Sequence, residues 1–218
     1  MIKYIIFDKD GTLLDTEPIF RRAWVEVGER WSFEGIDELY PSMMGNSDEF
    51  IIEKLYQIYG ADKDCRAFYN ERMARIMELL EEEIPLKSGC REILEFAKEN
   101  NISVAVATST NRERAEKNLK KTGISDCFDA IVTGDTVERS KPAPDIFLEA
   151  ARQIGANKEE CIICEDSYNG LLAAYNSGMI PIFVPDLLSP NEKTDELAYK
   201  TCSDLFEVIE LIKTENKI

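Results

Sequence analysis

The chain has 218 residues, with 26 Lys and Arg against 42 Asp and Glu, a formal charge of −16, and no His. So acidic a chain argues against DNA, RNA or an anionic membrane as its main partner. The lack of imidazole removes Ser-His-Asp triads, Cys-His pairs and His-ligated metals together.

In chain order, the first apolar run is Tyr4-Ile5-Ile6-Phe7. Met1 to Phe7 is too short for a signal peptide, and no stretch approaches a membrane span. A cytoplasmic, thiol-reducing compartment is therefore expected, with the six Cys unpaired. Residues 18–80 hold no strand-like run. Phe50, Ile51, Leu55 and Ile58 recur at three and four, and breaks are expected near Gly35, across residues 41–46 and at Gly60. This stretch reads as an all-helical domain, residues 17–81, inserted into a domain of residues 1–16 and 82–218.

Further short runs follow at Val104-Ala105-Val106-Ala107, Ala130-Ile131-Val132, Cys161-Ile162-Ile163-Cys164 and Ile182-Phe183-Val184. Continuous, largely β-branched or small, they read as strands buried on both faces of a parallel sheet. Helices are predicted between them over residues 90–100, 111–122, 145–154, 169–177 and 204–213. Three of these stop at Gly123, Gly155 and Gly178, the expected C-terminal signal. Alternating strands and helices give an α/β, Rossmann-like core with a parallel sheet. Cys161 and Cys164 lie three apart in one strand and face opposite sides, so they read as buried small residues rather than a zinc or redox pair. Trp24 and Trp31 read as core or hinge packing of the helical insert.

Polar residues collect just after the strands: Asp8, Asp10, Gly11 and Thr12; Thr108, Ser109, Thr110 and Asn111; Gly134, Asp135 and Lys141; Glu165, Asp166 and Ser167. Ligands of open parallel sheets bind outside the carboxyl ends of the strands. Asp8 and Asp10, two apart in an extended segment, are expected to project to one side, with Lys9 pointing away. Close carboxylates from several strand ends, without His, describe a hard-cation site, and Mg²⁺ fits best. Lys141 is the one cation expected at these positions, on a loop stiffened by Pro142 and Pro144.

The run Asp8-Lys9-Asp10-Gly11-Thr12-Leu13-Leu14-Asp15-Thr16-Glu17 resembles the first motif of the haloacid dehalogenase superfamily. Thr108 is similar to its second motif, Lys141 to its third and Glu165-Asp166 to its fourth. The helical insert resembles the cap of the β-phosphoglucomutase-like branch, which includes sugar phosphatases. The resemblance implies a Mg²⁺-dependent phosphomonoesterase acting on a small phosphorylated metabolite, a sugar phosphate. Asp8 would be the nucleophile that forms an aspartyl-phosphate, and Asp10 the acid and base. Thr108, Ser109 and Lys141 would hold the phosphoryl group. Mg²⁺ would sit on the carboxylates of Asp8 and Asp166 and the main-chain carbonyl of Asp10, with Glu165 in or just outside its shell. Asn46 and Ser47 of the cap are candidates for binding sugar hydroxyls, a plain interhelical turn being the other reading.

Two other readings stay open. A β-phosphoglucomutase-type transfer between sugar positions would want a cap Arg where Asp48 stands, a cap His where Phe20 stands, and Ser-Lys-Asn where Thr110-Asn111-Arg112 stands. A non-catalytic regulator that binds metal and phosphate is the second. The dehalogenases proper lack an acid at the position of Asp10, and cap lysines Lys54 and Lys63 read as ordinary surface positions rather than Schiff-base formers. The expected partner is a small metabolite, and the expected state is a monomer.

Overall fold

Strands β1 (Tyr4–Phe7), β2 (Ser103–Thr108), β3 (Ala130–Thr133), β4 (Cys161–Glu165), β5 (Ile180–Phe183) and β6 (Lys200–Thr201) form one sheet in the spatial order β3-β2-β1-β4-β5-β6. Every neighbouring pair is parallel. The computed structural model describes residues 1–43 and 48–218. The chain divides into two compact units, residues 1–15 with 85–218, and residues 16–84.

The first unit is the sheet with its helices. Strands β1, β2 and β4 are almost wholly buried, as their continuous apolar character requires for a sheet covered on both faces. One face carries Ile6, Ala105, Ala107, Val132 and Ile163 against Phe147, Ala150, Ala173 and Ala174 of helices α7 (Asp145–Gln153) and α8 (Tyr168–Ser177). The small residues on that face let the helix backbones come close. Helices α5 (Cys90–Glu99), α6 (Arg112–Lys121), α9 (Glu192–Leu197) and α10 (Leu205–Asn216) complete the unit. Asn111 caps α6 through the N–H of Arg114, and Ser167 caps α8 through the N–H of Gly170. Gly178 ends α8 at φ +76°, a left-handed turn that glycine makes without strain.

Phe7 pairs with Val106 on one side and with Cys164 on the other. The ends of β1, β2 and β4 are therefore level. The chain runs from β1 outward to β3, then returns to place β4 on the opposite side of β1. That reversal opens a crevice at the carboxyl edge.

Some elements differ from the sequence reading. The fifth strand begins two residues earlier and includes Pro181, whose carbonyl accepts the N–H of Tyr199. A proline lowers strand signal because it cannot donate to the ladder. The two-residue β6 and the one-and-a-half-turn α9 have too little periodicity to be read. Helix α10 extends past residue 213 to Asn216, whose side chain bonds the backbone of Ile2 at both its N–H and its carbonyl.

The second unit holds α1 (Glu17–Arg30), α2 (Ile36–Met43), α3 (Asp48–Tyr59) and α4 (Cys65–Glu82), with no strand among its described residues. Its core is aromatic: Trp24 meets Phe68 edge-on at 5.5 Å, and Phe33 stacks on Tyr59 at 4.1 Å. Trp24 is fully buried and its indole N–H donates to the carbonyl of Ile36. Within the stretch 41–46 where a break is expected, α2 runs two residues past Pro41 and ends at Met43. It gives up one backbone bond at Pro41 while Ile36, Tyr40 and Met43 bury one face. Asn46 and Ser47 lie outside the described residues.

All six cysteines are free, and burial pushes the Cys161 thiol up to about 12 and the Cys164 thiol well above its usual range. They act as small apolar residues of β4. Among the described residues no helix is long and apolar enough to cross a membrane.

Candidate active site

Asp8 is the first residue beyond β1, and its N–H donates to the carbonyl of Cys164 on the neighbouring strand. That bond carries the pairing one step past the strand and holds the Asp8 backbone at the sheet edge. Lys141 reaches the same edge from the loop before α7, where the Lys141–Pro142 peptide is cis. Its ammonium donates to Asp8 Oδ1 at 2.5 Å, to Glu165 Oε1 at 2.6 Å and to the carbonyl of Ala107 at 3.3 Å. Three acceptors meet its three N–H donors. The Lys141 ammonium lies over the Phe147 ring, Nζ 4.7 Å from its centroid.

Glu165 is 1% exposed. Its second oxygen, Oε2, accepts the N–H and hydroxyl of Ser167 at 2.9 and 3.0 Å. Gly170 makes room for it, since a Cβ there would lie 1.7 Å from Glu165 Oε1. Glu165, which the resemblance places in or just outside a metal shell, has both oxygens engaged by protein donors here, Oε1 by the Lys141 ammonium and Oε2 by Ser167.

Lys9 was expected to point away from the carboxylates and does not. The chain turns at once after Asp8, with Leu13 and Leu14 donating to the Lys9 carbonyl, so period-two alternation ends with the strand. The Lys9 ammonium returns to both oxygens of Asp10, at 2.6 and 2.7 Å, and the Thr110 hydroxyl donates to Asp10 Oδ2 at 2.9 Å. The site thus holds a second cation. Burial would raise the Asp10 carboxyl, but the Lys9 ammonium, the Thr110 hydroxyl and the charge of Arg114 together hold it below the usual carboxylate range.

Thr108 ends β2, 1% exposed, and its hydroxyl accepts the N–H of Thr110. Ser109 beside it is exposed, and Gly134 packs so close to its carbonyl that a Cβ there would lie 2.4 Å away. Asp166 takes the Thr12 hydroxyl at 3.1 Å and lies against Gly11, whose missing Cβ would fall 2.3 Å from Asp166 Oδ2. Gly11 also stands at φ +82°, so the turn and the close approach each require glycine. Of the sequence candidates, Asp8, Glu165 and Lys141 converge directly. Asp10, Thr108 and Asp166 stand around them on the same edge, Asp10 and Thr108 linked through Thr110.

The sequence reading gives no role in the site to Lys9, Thr12, Thr110 or Gly170. Thr12 and Thr110 lie inside the polar clusters already singled out, so their position was a signal. Nothing in one sequence marks Gly170.

Among the described residues, the Lys9 and Lys141 ammonium groups stand among four carboxylates of this edge, Asp8, Asp10, Glu165 and Asp166. Burial, with the Glu165 and Asp10 charges behind it, pushes the Asp8 carboxyl up to about 7 against the pull of Lys141. That excess of negative charge is what a divalent cation would relieve. No three Asp, Glu, Cys or His side chains form a ready-made cage among the described residues. Mg²⁺ does not need one, since it keeps several waters and binds through one or two carboxylates. The donor set of Asp8 and Asp166, both hard oxygen ligands, fits it.

The family model described as haloacid dehalogenase-like hydrolase matches residues 5–184. A hexitol phosphatase B of Escherichia coli is 32% identical over 209 residues, 93% of this chain and 92% of that one. A phosphorylated carbohydrates phosphatase of Thermotoga maritima is 32% identical over 182 residues, 82% of this chain and 83% of that one. Among solved structures, β-phosphoglucomutase from Clostridium difficile superimposes with a TM-score of 0.73 at 25% identity, covering 99% of both chains.

Proposed function

The chain belongs to the haloacid dehalogenase-like hydrolases, and from that premise we propose that it hydrolyses small phosphate monoesters, sugar phosphates foremost, through an aspartyl-phosphate on Asp8. The observation that carries this reading is the buried Asp8–Lys141–Glu165 constellation at the carboxyl edge of the sheet. A carboxylate there needs no His to activate it, and Lys141 offsets the repulsion between that carboxylate and an incoming phosphate. Relatives named for hexitol phosphate and phosphorylated carbohydrate hydrolysis support the substrate class.

In the first step an Asp8 oxygen attacks phosphorus, the bond from phosphorus to the ester oxygen breaks, and Asp10 gives a proton to the departing alcohol. In the second, water attacks the same phosphorus, its proton passes to Asp10, and the acyl-phosphate bond breaks to release Asp8. Thr108, Ser109 and Lys141 hold the phosphoryl oxygens, so that the work is positioning and charge neutralisation. The carboxylates of Asp8 and Asp166, with the main-chain carbonyl of Asp10, would hold Mg²⁺, which when bound supplies positive charge to the phosphoryl oxygens. Paired on Lys9, Asp10 is held ionised, the form that takes a proton from water. To give a proton to the alcohol, Asp10 carries it on one oxygen while the other keeps the Lys9 ammonium. Residues 16–84 serve as the cap that selects the substrate.

At the position where a mutase would want an Arg, Asp48 accepts the hydroxyl of Tyr69 at 2.5 Å. An acid there would repel a second phosphate. The test supplies β-glucose 1-phosphate, Mg²⁺ and a trace of the bisphosphate, and follows free phosphate and glucose 6-phosphate together, with Asp8→Asn as control. Free phosphate, lost in the variant, is the expected result, and other sugar phosphates then rank the substrates. Glucose 6-phosphate without free phosphate would make the chain a mutase. Mg²⁺-dependent phosphate binding without turnover on any ester would make it a regulator.

A further inference from the structure

Lys9 is a fully buried lysine that the reaction scheme above leaves without a task. Its side chain is 1% exposed, which puts it with Trp24, Phe7, Phe68, Phe147 and Phe183 among the largest fully enclosed side chains of the described residues. Its neighbours Phe7, Leu13 and Leu14 are all 0% exposed. An apolar residue would suit such a place, since an enclosed ammonium is costly unless a partner offsets it. The ammonium here spans both oxygens of Asp10, and Thr110 adds a hydroxyl to one of them from the end of β2. These donors reach the carboxylate from two different segments of the sheet edge.

We propose that Lys9 is a positioning residue: with Thr110 it clamps the Asp10 carboxylate in the orientation from which it exchanges protons with leaving alcohol and attacking water. This rests on Asp10 as the acid and base of a phosphatase. The clamp accounts for a charge retained where packing alone favours a hydrocarbon. Asp10 lies within the turn closed from Lys9 to Leu13 and Leu14, and its side chain is 23% exposed, so without these bonds it has room for other rotamers. Misplacing a catalytic group by an ångström costs on the order of 100-fold in rate. Lys9 acts only through Asp10, because both Asp10 oxygens are its bonded partners.

The experiment is a double-mutant cycle on the full chain with Mg²⁺, using Lys9→Met, Asp10→Asn and the pair, each assayed on a sugar phosphate and on nitrophenyl phosphate. In the wild-type background Lys9→Met should lower kcat on the sugar phosphate by roughly 10- to 100-fold, with KM within about threefold. The loss on nitrophenyl phosphate should be smaller, since its leaving group needs little proton. In the Asp10→Asn background Lys9→Met should change kcat by less than about twofold, as expected for residues that act as one unit. Should Lys9→Met not fold, Lys9→Gln, which keeps a neutral donor, carries the same cycle. Losses that multiply across the two backgrounds, or equal losses on both substrates, would overturn the clamp and make Lys9 a packing residue. A wild-type chain without turnover overturns the phosphatase reading itself, an outcome the first assay separates from failure of the clamp.

Discussion

Replacing Gly170 by alanine sets a general helix rule against one contact. Gly170 is the third residue of α8. Inside a helix, Gly→Ala ordinarily stabilises by about 1 kcal/mol. Here the new Cβ would lie 1.7 Å from Glu165 Oε1, 1.9 Å from its Cδ and 2.4 Å from Oε2, where ordinary contact begins near 3.4 Å. Glu165 must therefore retreat by well over an ångström, and it is 1% exposed with both oxygens bonded. Stretching its bonds to Lys141 and Ser167, each worth roughly 1.5–3 kcal/mol when a charge is involved, outweighs the helix gain and leaves a net loss of about 2–4 kcal/mol. Lys141 loses its aim at the same time, so kcat on nitrophenyl phosphate should fall by roughly 10- to 100-fold. Urea unfolding followed by far-UV circular dichroism measures the first effect. Tryptophan fluorescence would not, because both tryptophans, Trp24 and Trp31, lie in residues 16–84 and report that unit instead. A midpoint at or above wild type, together with unchanged kcat, would refute a role for Glu165 in aiming Lys141.

Gly11→Ala should abolish turnover while leaving a folded chain, since it combines a strained φ of +82° with a Cβ 2.3 Å from Asp166 Oδ2; near-normal kcat would show that the loop adapts. Asp166→Asn should raise the Mg²⁺ concentration needed for half-maximal activity by about 10- to 100-fold, measured by titrating Mg²⁺ into chelator-treated protein, and an unchanged requirement would take Asp166 out of the donor set. Arg72 in α4 lies between Trp24 and Tyr69, is 8% exposed, leaves its Nε–H without an acceptor and has no carboxylate partner among the described residues. Its stacking contributes about 0.5–2 kcal/mol, whereas enclosing an unpaired guanidinium costs several. Arg72→Met should therefore leave the urea midpoint of the helical unit, followed by tryptophan fluorescence, unchanged or higher, and a loss above about 2 kcal/mol would contradict that balance.

Much of the molecule is legible in the order of its residues. Tyr4–Phe7, Ser103–Thr108 and Cys161–Glu165 are continuous apolar runs, and a run of that kind has few places to go except the interior of a parallel sheet. The polar residues that follow each run then come to one edge by topology alone. This is why Asp8, Thr108, Lys141 and Asp166 could be named without coordinates. The helical insert was equally plain, because strand periodicity is missing over its whole length.

What only the tertiary structure decided begins where periodicity stops. Within β1 side chains alternate, but beyond Phe7 the chain bends, and the direction of Lys9 is set by the turn at Leu13 and Leu14 and by the Asp10 carboxylate. Pro41 reads as a helix breaker from local propensity, yet α2 passes through it because the apolar face it presents to the helical core outweighs one missing bond. Gly170 and Glu165 are five apart in sequence, and only packing α8 against the sheet brings a glycine hydrogen and a carboxylate to the same point. Local patterns specify which residues are buried and which edge they reach. The pairing of buried charges depends on distances between segments more than 100 residues apart, as for Lys141 with Asp8, and the compact fold alone supplies those.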